Sequence, residues 1–297
     1  MICSSDTSFA GPPEQVKNSA VVIVLSEDGG PYAEFSDALH IILSHDGISH
    51  EVIELSKPIP DSQLVIGVGM KAARAVAAGK APFVLNVFIP KSGYEKLLHE
   101  YPNRADPNTF SAIFLDQPDY RQANLIKAIL PDKRNIGLLY SSPPEELAQF
   151  RKELTERGLN LHEQEVDSSH PLAEALQDIL RGSDVLLALP DAAIYNSSTI
   201  RNILLGTYRN GVPLIGFSSG YVKAGALGAV FSTPAQIATQ TAALIVQFND
   251  SQILPIAQYP HEFEVMVNEQ VAHSLGLVIK DVSVLHSEIS AERKEEP

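Results

Sequence analysis

The sequence contains the same structural pattern twice. A short apolar run at Val21 to Leu25 leads through a small polar loop into a helix pattern, and the same succession begins again at Asn135. In each copy a further strand follows a glycine, Gly47 in the first and Gly158 in the second, and a strand that starts after a proline closes the unit. This repetition predicts two similar α/β lobes, with the functional site in the cleft between them.

The predicted strands are continuous apolar runs rather than alternating ones. They are Val21 to Leu25, Leu64 to Val68, Phe83 to Ile89, Ile136 to Tyr140, Val185 to Leu189 and Leu214 to Phe217. Continuous runs are typical of strands buried on both faces, which occur in parallel sheets covered by helices. Because helix patterns alternate with these strands, we predict an α/β fold with a doubly wound parallel sheet in each lobe.

The C-terminal third contains more elements than a second lobe needs, including a helix from Thr233 to Asn249 and a strand from Glu262 to Val267. We therefore expect the chain to cross between the lobes more than once, which makes a hinge. The predicted division places residues 20–117 with about 233–258 in lobe one, and residues 118–232 with about 259–286 in lobe two. Residues 1–19 are predicted to form a flexible leader and 287–297 a charged, frayed tail.

Charge and cysteine content exclude several classes of protein. The 36 acidic and 22 basic residues give a net charge of -14, and no basic stripe offsets it, so we predict no nucleic-acid partner. No apolar run approaches the roughly 18 residues of a membrane span. The single Cys3 excludes an intramolecular disulfide. Around Ser8-Phe9-Ala10, a truncated signal peptide, a lipid-anchor remnant at Cys3 and an ordinary flexible terminus remain open.

Polar residues and glycines follow the predicted strands at the end where open α/β sheets bind ligands. The candidate ligand-binding residues are Ser26, Tyr32, Gly69, Lys71, Asp116, Ser141, Ser142, Asp191, Tyr195, Ser218 and Ser219. Most precede helices, whose free N–H groups bind anions. We predict a small polar or zwitterionic ligand, with its carboxylate on serine hydroxyls and helix amides, its ammonium on Asp191, and its side chain against the tyrosines.

Each of these residues also has a purely structural explanation. The serines and Asp191 are common helix-capping residues, and capping competes directly with ligand binding. Lys71 fits a solvated first turn of a helix, and the tyrosines fit helix packing as well as a cleft wall. The sequence leaves both explanations open.

Enzymatic and cofactor motifs are incomplete. Gly67-Val-Gly-Met-Lys-Ala72 lacks the third glycine of a dinucleotide loop, and neither a GxxxxGK[ST] loop nor a GxSxG turn occurs. None of the nine histidines pairs at HxH or HxxxH spacing. We therefore predict no cofactor, no metal and no catalytic step.

Four stretches carry a resemblance to a known family. Val222-Lys-Ala-Gly-Ala-Leu227 resembles its "GLVKAGAL" loop, and Gln122 to Tyr140 is similar to its "QLELIKELLPDAKRIGVLY" segment. Ile237 to Val246 resembles "LGRQAAEMAV", and Phe263 to Leu277 resembles "FELVINLKTAKALGL". The family is that of ABC-transporter substrate-binding proteins related to the tryptophan/tyrosine-type binding proteins.

The resemblance implies a type I periplasmic-binding-protein fold, in which two lobes joined by three crossovers close on a small molecule. It also implies a periplasmic or otherwise extracytoplasmic location and a membrane permease as partner, and we expect a monomer. Pro190-Asp-Ala-Ala193 stands where the family has "PTDN", and Asn86 to Pro90 where it has "VTDP". These departures favour a ligand other than an aromatic amino acid. A sensor that docks on a receptor, or an α/β enzyme acting on a sugar or nucleotide, is the alternative.

Overall fold

The computed structural model describes residues 21–291. The leader predicted for residues 1–19, with Cys3, therefore lies outside the described residues, as do residues 292–297. Within the described part, no helix combines the length and the apolar character needed to cross a bilayer.

Lobe one is built on a parallel five-stranded sheet with the order β2-β1-β3-β4-β5. Its strands are β1 (Val21–Leu25), β2 (His50–Glu54), β3 (Leu64–Val68), β4 (Phe83–Ile89) and β5 (Phe110–Phe114). Its own helices are α1 (Pro31–His45), α2 (Met70–Ala78) and α3 (Lys91–Glu100), followed by a 3-10 turn at Pro102–Arg104. All residues of β1, β3 and β5 are buried, as the continuous apolar runs of β1 and β3 predict.

Lobe two has a six-stranded sheet with the order β11-β10-β9-β8-β6-β7. Its strands are β6 (Asn135–Tyr140), β7 (Asn160–Glu165), β8 (Val185–Leu187), β9 (Leu214–Gly216), β10 (Gly228–Phe231) and β11 (Glu264–Val267). The last strand runs antiparallel to β10, and the other pairings are parallel. The helices are α4 (Asp119–Ile129), α5 (Leu147–Glu156), α6 (Leu172–Gly182), α7 (Ile200–Arg209), α8 (Ser219–Ala224), α10 (Glu269–Ser274) and α11 (Val282–Ser290). The predicted two-lobe α/β fold is confirmed.

Helix α9 (Pro234–Ser251) returns from lobe two to lobe one, where Ile237, Ile245 and Phe248 share a buried cluster with Phe35 of α1. A capping box begins this helix: the Thr233 side chain accepts from the Gln236 N–H, and the Gln236 side chain accepts from the Thr233 N–H. By its packing, α9 therefore belongs to lobe one, although it comes after most of lobe two in the sequence.

Three crossovers join the lobes: between β5 and α4, between β10 and α9, and between α9 and β11. Gln117 in the first donates its amide hydrogen to the Ser232 hydroxyl in the second (2.9 Å), and Ser232 donates to the Glu262 carbonyl in the third (2.6 Å). The buried guanidinium of Arg121 donates to the Gln117 side chain and to the carbonyl oxygens of Pro260 and His261. The crossovers are thus tied together into one hinge.

The C-terminal end differs from the prediction of a tail frayed from residue 287. Helix α11 continues to Ser290, with Leu285 and Ile289 buried against α4. These two apolar residues are four apart and so face the same side of the helix. The charged residues that follow in the sequence led to the prediction of a frayed tail, although this short segment is amphipathic.

Candidate functional site

The two lobes enclose a cleft beside the crossovers, with about 760 Å³ of empty space including the part open to solvent. One wall comes from the start of α3 in lobe one (Lys91, Ser92, Glu95), and the crossovers form the base. The opposite wall comes from lobe two, at the ends of β6 and β8 and the start of α5. The lining residues from the crossovers and lobe two are Asp116, Gln117, Asp119, Tyr259, Leu139, Tyr140, Ser142, Pro144, Glu145, Glu146, Leu147, Phe150, Leu189, Pro190 and Asp191.

Two aspartates of the cleft also hold backbone in place. Asp116 accepts a hydrogen bond from the N–H of Lys91 (2.7 Å) and so caps the first turn of α3. Asp191 accepts from the N–H of Ser141 (2.7 Å) and from that of Ala193 (3.0 Å). Both aspartates therefore fix the cleft walls while leaving carboxylate oxygens at its surface.

Two pairs of polar side chains connect the lobes across the cleft. The Lys91 ammonium pairs with Glu146 and lies 5.5 Å from the centre of the Tyr259 ring. Nearer the surface, Nε2 of His99 lies 3.1 Å from the Glu145 carboxylate. These pairs join α3 of lobe one to the loop that follows β6 in lobe two.

Burial gives several cleft carboxylates an unusually high proton affinity. It raises the pKa of Glu95 to about 7 and that of Asp119 to about 7, and nearby carboxylates add to both shifts while Lys91 opposes them. Burial also raises the pKa of Asp116 to about 6, against the lowering effect of the Lys91 N–H hydrogen bond. The charged groups facing Glu95 and Asp119 are Lys91, Asp116, Glu145, Glu146 and Glu153.

We expect Asp119→Asn to stabilise the ligand-free protein at pH 8 but not at pH 4. Because the pKa of Asp119 is raised in the folded state, its contribution to the free energy of unfolding is greatest below the unfolded pKa and is lost as pH rises towards 7. The free energy of unfolding should rise by about 1–2 kcal/mol at pH 8. A raised pKa corresponds to ~1.4 kcal/mol per unit, and we expect less than the full amount because the cleft is open to water.

Urea denaturation at both pH values measures this effect. Glu51→Gln, an exposed carboxylate on β2 outside the cleft, is the control and should change stability at neither pH. An equal loss of stability at both pH values would instead assign Asp119 to a favourable interaction with the N-terminus of α4 alone.

The structure brings four of the predicted residues together at the carboxyl ends of β1 and β3, on the same sheet edge as the start of α3 but farther from the crossovers. Gly69 leaves no room for a Cβ, which would lie 2.7 Å from the Ser26 hydroxyl and 2.7 Å from the Tyr32 ring. Ser26 accepts from the N–H of Ala72 (2.9 Å), so it caps α2, and Lys71 forms an exposed ion pair with Glu27. None of these residues is among those that line the cleft.

The predicted residues of lobe two divide between the cleft and a neighbouring aromatic cluster. Ser142 and Asp191 line the cleft, and Ser141 adjoins it through its backbone bond to Asp191. Tyr195 is buried against Phe217 and Tyr221, and its hydroxyl has no hydrogen-bond partner among residues 21–291. Ser218 precedes α8 without capping it through its side chain, and Ser219 begins that helix. Ser218 and Ser219 do not line the cleft.

Sequence reasoning missed the α3 contribution to the cleft, and Phe88 helps to explain why. Phe88 has a φ of 56°, and the β4–β5 register shifts between Val87 and Ile89. Such a bulge redirects the strand end, which here leads directly into Lys91. Packing against Phe35 (ring centres 5.4 Å apart) holds Phe88 in a conformation that bulky residues rarely adopt.

Two lobes, a three-crossover hinge and a cleft between them define the class of hinged ligand-binding proteins. Residues 117–289 match the family of ABC transporter substrate binding proteins, and the chain belongs to that family. Members bind a small molecule and deliver it to a membrane permease. A comparison with curated proteins finds no match.

Several solved structures share the fold. The ABC domain in complex with L-Trp from Streptococcus pneumoniae is 18% identical, with a TM-score of 0.66 over 90% of this chain and 98% of that one. A ligand-free, open substrate-binding protein with adhesive properties from Clostridium difficile is 15% identical (TM-score 0.66; 88% and 95% covered). An ABC transporter solute-binding protein from Agrobacterium vitis bound with α-D-tagatopyranose is 15% identical (TM-score 0.52; 88% and 99% covered). Such low identities show a common fold and leave the ligand open.

Proposed function

We propose that this protein is the extracytoplasmic solute-binding component of an ABC importer. It binds a small polar or zwitterionic, amino-acid-like molecule between its lobes, without a catalytic step, and acts as a monomer. The observation that supports this proposal is the cleft beside the hinge, because its lining comes from both lobes. Of the candidate residues, Asp116, Ser142 and Asp191 are the ones that we propose contact the ligand there, with Ser141 supporting Asp191.

We propose that the permease recognises the closed form, and that contact of the ligand with both lobes is what favours this form. A ligand shifts an equilibrium between open and closed forms only if it binds one form more tightly. A molecule that reaches both walls binds the closed form more tightly, because the open form offers it only one wall.

Native mass spectrometry of the purified protein identifies a co-purified small molecule, and calorimetry then measures its affinity. Ser92→Trp and Ser142→Trp fill the cleft from lobe one and lobe two respectively, so each should weaken binding by about 100-fold or more. Ser44→Trp, at an exposed position on α1, is the control.

Small-angle scattering with and without the ligand tests closure, and we expect the radius of gyration to fall on binding. Tight binding that either cleft variant leaves unchanged would contradict contact with both lobes. Turnover of a sugar or nucleotide would contradict the absence of a catalytic step.

A further inference from the structure

The lining of the cleft is strongly unbalanced in charge. Among the described residues that form it, one is basic, Lys91, and six carry carboxylates: Glu95, Asp116, Asp119, Glu145, Glu146 and Asp191. The cavity between two lobes marks the ligand site, and this imbalance bears on which ligand fits it. A ligand with excess negative charge would meet repulsion from both walls.

Four of the six carboxylates already have partners. Asp116 and Asp191 accept backbone N–H groups, Glu146 pairs with Lys91, and Glu145 pairs with His99. Glu95 and Asp119 differ, since neither makes a hydrogen bond or an ion pair with any residue in the range 21–291. The ionised forms of half-buried carboxyl groups without partners are unfavourable, in line with the raised pKa of both groups, and a cation between the lobes would stabilise those ionised forms.

The cleft already holds one ammonium group of the protein itself. The Lys91 side chain is only 23% exposed, pairs with Glu146 and lies over the Tyr259 ring, with its Nζ 3.5 Å from the Tyr259 hydroxyl. A carboxylate beside an aromatic face is a favourable environment for an organic cation. The second tyrosine of the lining, Tyr140, lies on the lobe-two wall.

The lining favours an organic cation over a metal ion. Leu139, Leu147, Phe150 and Leu189 give the cleft an apolar part suited to a carbon chain. Within the described range, no group of three or more His, Cys, Asp or Glu side chains is placed to hold a metal.

We propose that the ligand is an organic cation with net positive charge, such as a diamine or a basic amino acid, bound through Glu95 and Asp119. This inference rests on the proposed function and narrows its ligand class from a neutral zwitterion to a cation. The net charge of -14 would also attract such a ligand over a distance.

A series of probes with related carbon chains tests the sign of the charge. L-lysine, L-norleucine and L-2-aminoadipate share a six-carbon chain and differ in the terminal group, and cadaverine is lysine without its carboxylate. By calorimetry at pH 8, above the pKa of about 7 of Glu95 and Asp119, lysine and cadaverine should bind about tenfold or more tightly than norleucine, and aminoadipate should bind least. Added NaCl should weaken the binding of the cations.

Variants connect the selectivity to the two carboxylates without partners. Glu95→Gln and Asp119→Asn should each weaken lysine or cadaverine binding by about fivefold or more and leave norleucine binding unchanged. Glu51→Gln is the matched control outside the cleft and should change neither. Thermal denaturation confirms that the variants are folded.

The outcomes separate this inference from the proposed function. Norleucine binding as tightly as lysine and cadaverine overturns the cationic ligand while the two-lobe binding function stands. Failure of both cations to bind also overturns it. A co-purified ligand that neither Ser92→Trp nor Ser142→Trp affects contradicts the proposed function instead, whatever its charge.

Discussion

Replacing Arg121 by Met should lower the free energy of unfolding by about 3–5 kcal/mol. The Arg121 side chain is buried, with 8% of the residue exposed, and its guanidinium donates three hydrogen bonds, each 2.9 Å long, to Gln117, Pro260 and His261. It also stacks on Phe263, with 4.4 Å between the guanidinium carbon and the ring centre. Methionine fills a similar volume but leaves the carbonyl oxygen of buried Pro260 without a donor.

Lys127→Met is the matched control for this prediction. Lys127 is an exposed cation on the same helix, so its replacement should change stability by no more than about 0.5 kcal/mol. Arg121→Lys should recover little stability, since a single ammonium cannot reach acceptors in two crossovers with the geometry of a guanidinium. Urea denaturation measures all three variants. A loss below about 1 kcal/mol for Arg121→Met would show that the crossovers hold together without this side chain.

Replacing Gly69 by Ala should destabilise the protein by about 2–4 kcal/mol. Two effects combine at this position. Its φ of 83° and ψ of 165° belong to a region that only glycine adopts readily. A Cβ there would also lie 2.7 Å from the Ser26 hydroxyl, which caps α2 through Ala72, and 2.7 Å from the Tyr32 ring. Relieving the overlap displaces the cap as well as the tyrosine.

Two glycines of the same lobe separate strain from overlap. Gly47 has a φ of 67°, but a Cβ at this position would meet no atom within 4 Å, so Gly47→Ala reports backbone strain alone, expected at about 1 kcal/mol. Gly29 has neither constraint, and Gly29→Ala should be close to neutral. If Gly69→Ala destabilises the protein no more than Gly47→Ala does, the Ser26 and Tyr32 side chains move aside at little cost and the overlap argument is wrong.

Much of the fold could be predicted because its signals are local. The apolar run Leu64–Val68 predicts a buried strand wherever it lies in the chain, and all of its residues are buried. The capping pattern at Thr233 predicts the start of α9 in the same way. Even the short α11 carried a local signal in Leu285 and Ile289, although the charges beyond it obscured that pattern.

The candidate site was predicted less well because strand-end position alone does not show which residues share a cleft. Ser26 and Gly69 do follow strands, but the structure uses them to shape the turn into α2. Glu95 lies within α3, a turn beyond the strand end, and it reaches the cleft through the direction that α3 takes after the bulge at Phe88. The competing explanation of capping describes Ser26, whereas Asp191 lines the cleft and accepts the Ala193 N–H in a turn rather than capping a helix.

Hydrophobic periodicity and motif spacing were sufficient to establish two α/β lobes, repeated crossovers and the family, because each depends on residues close together in the chain. The composition of the cleft depends on residues that are far apart. Lys91 and Tyr259 meet across 168 positions, and the lobes bring Glu95 and Asp119 into the same cleft as Glu146. The electrostatic character of that cleft arises only when the crossovers bring these carboxylates into one partly buried volume, where each raises the proton affinity of its neighbours.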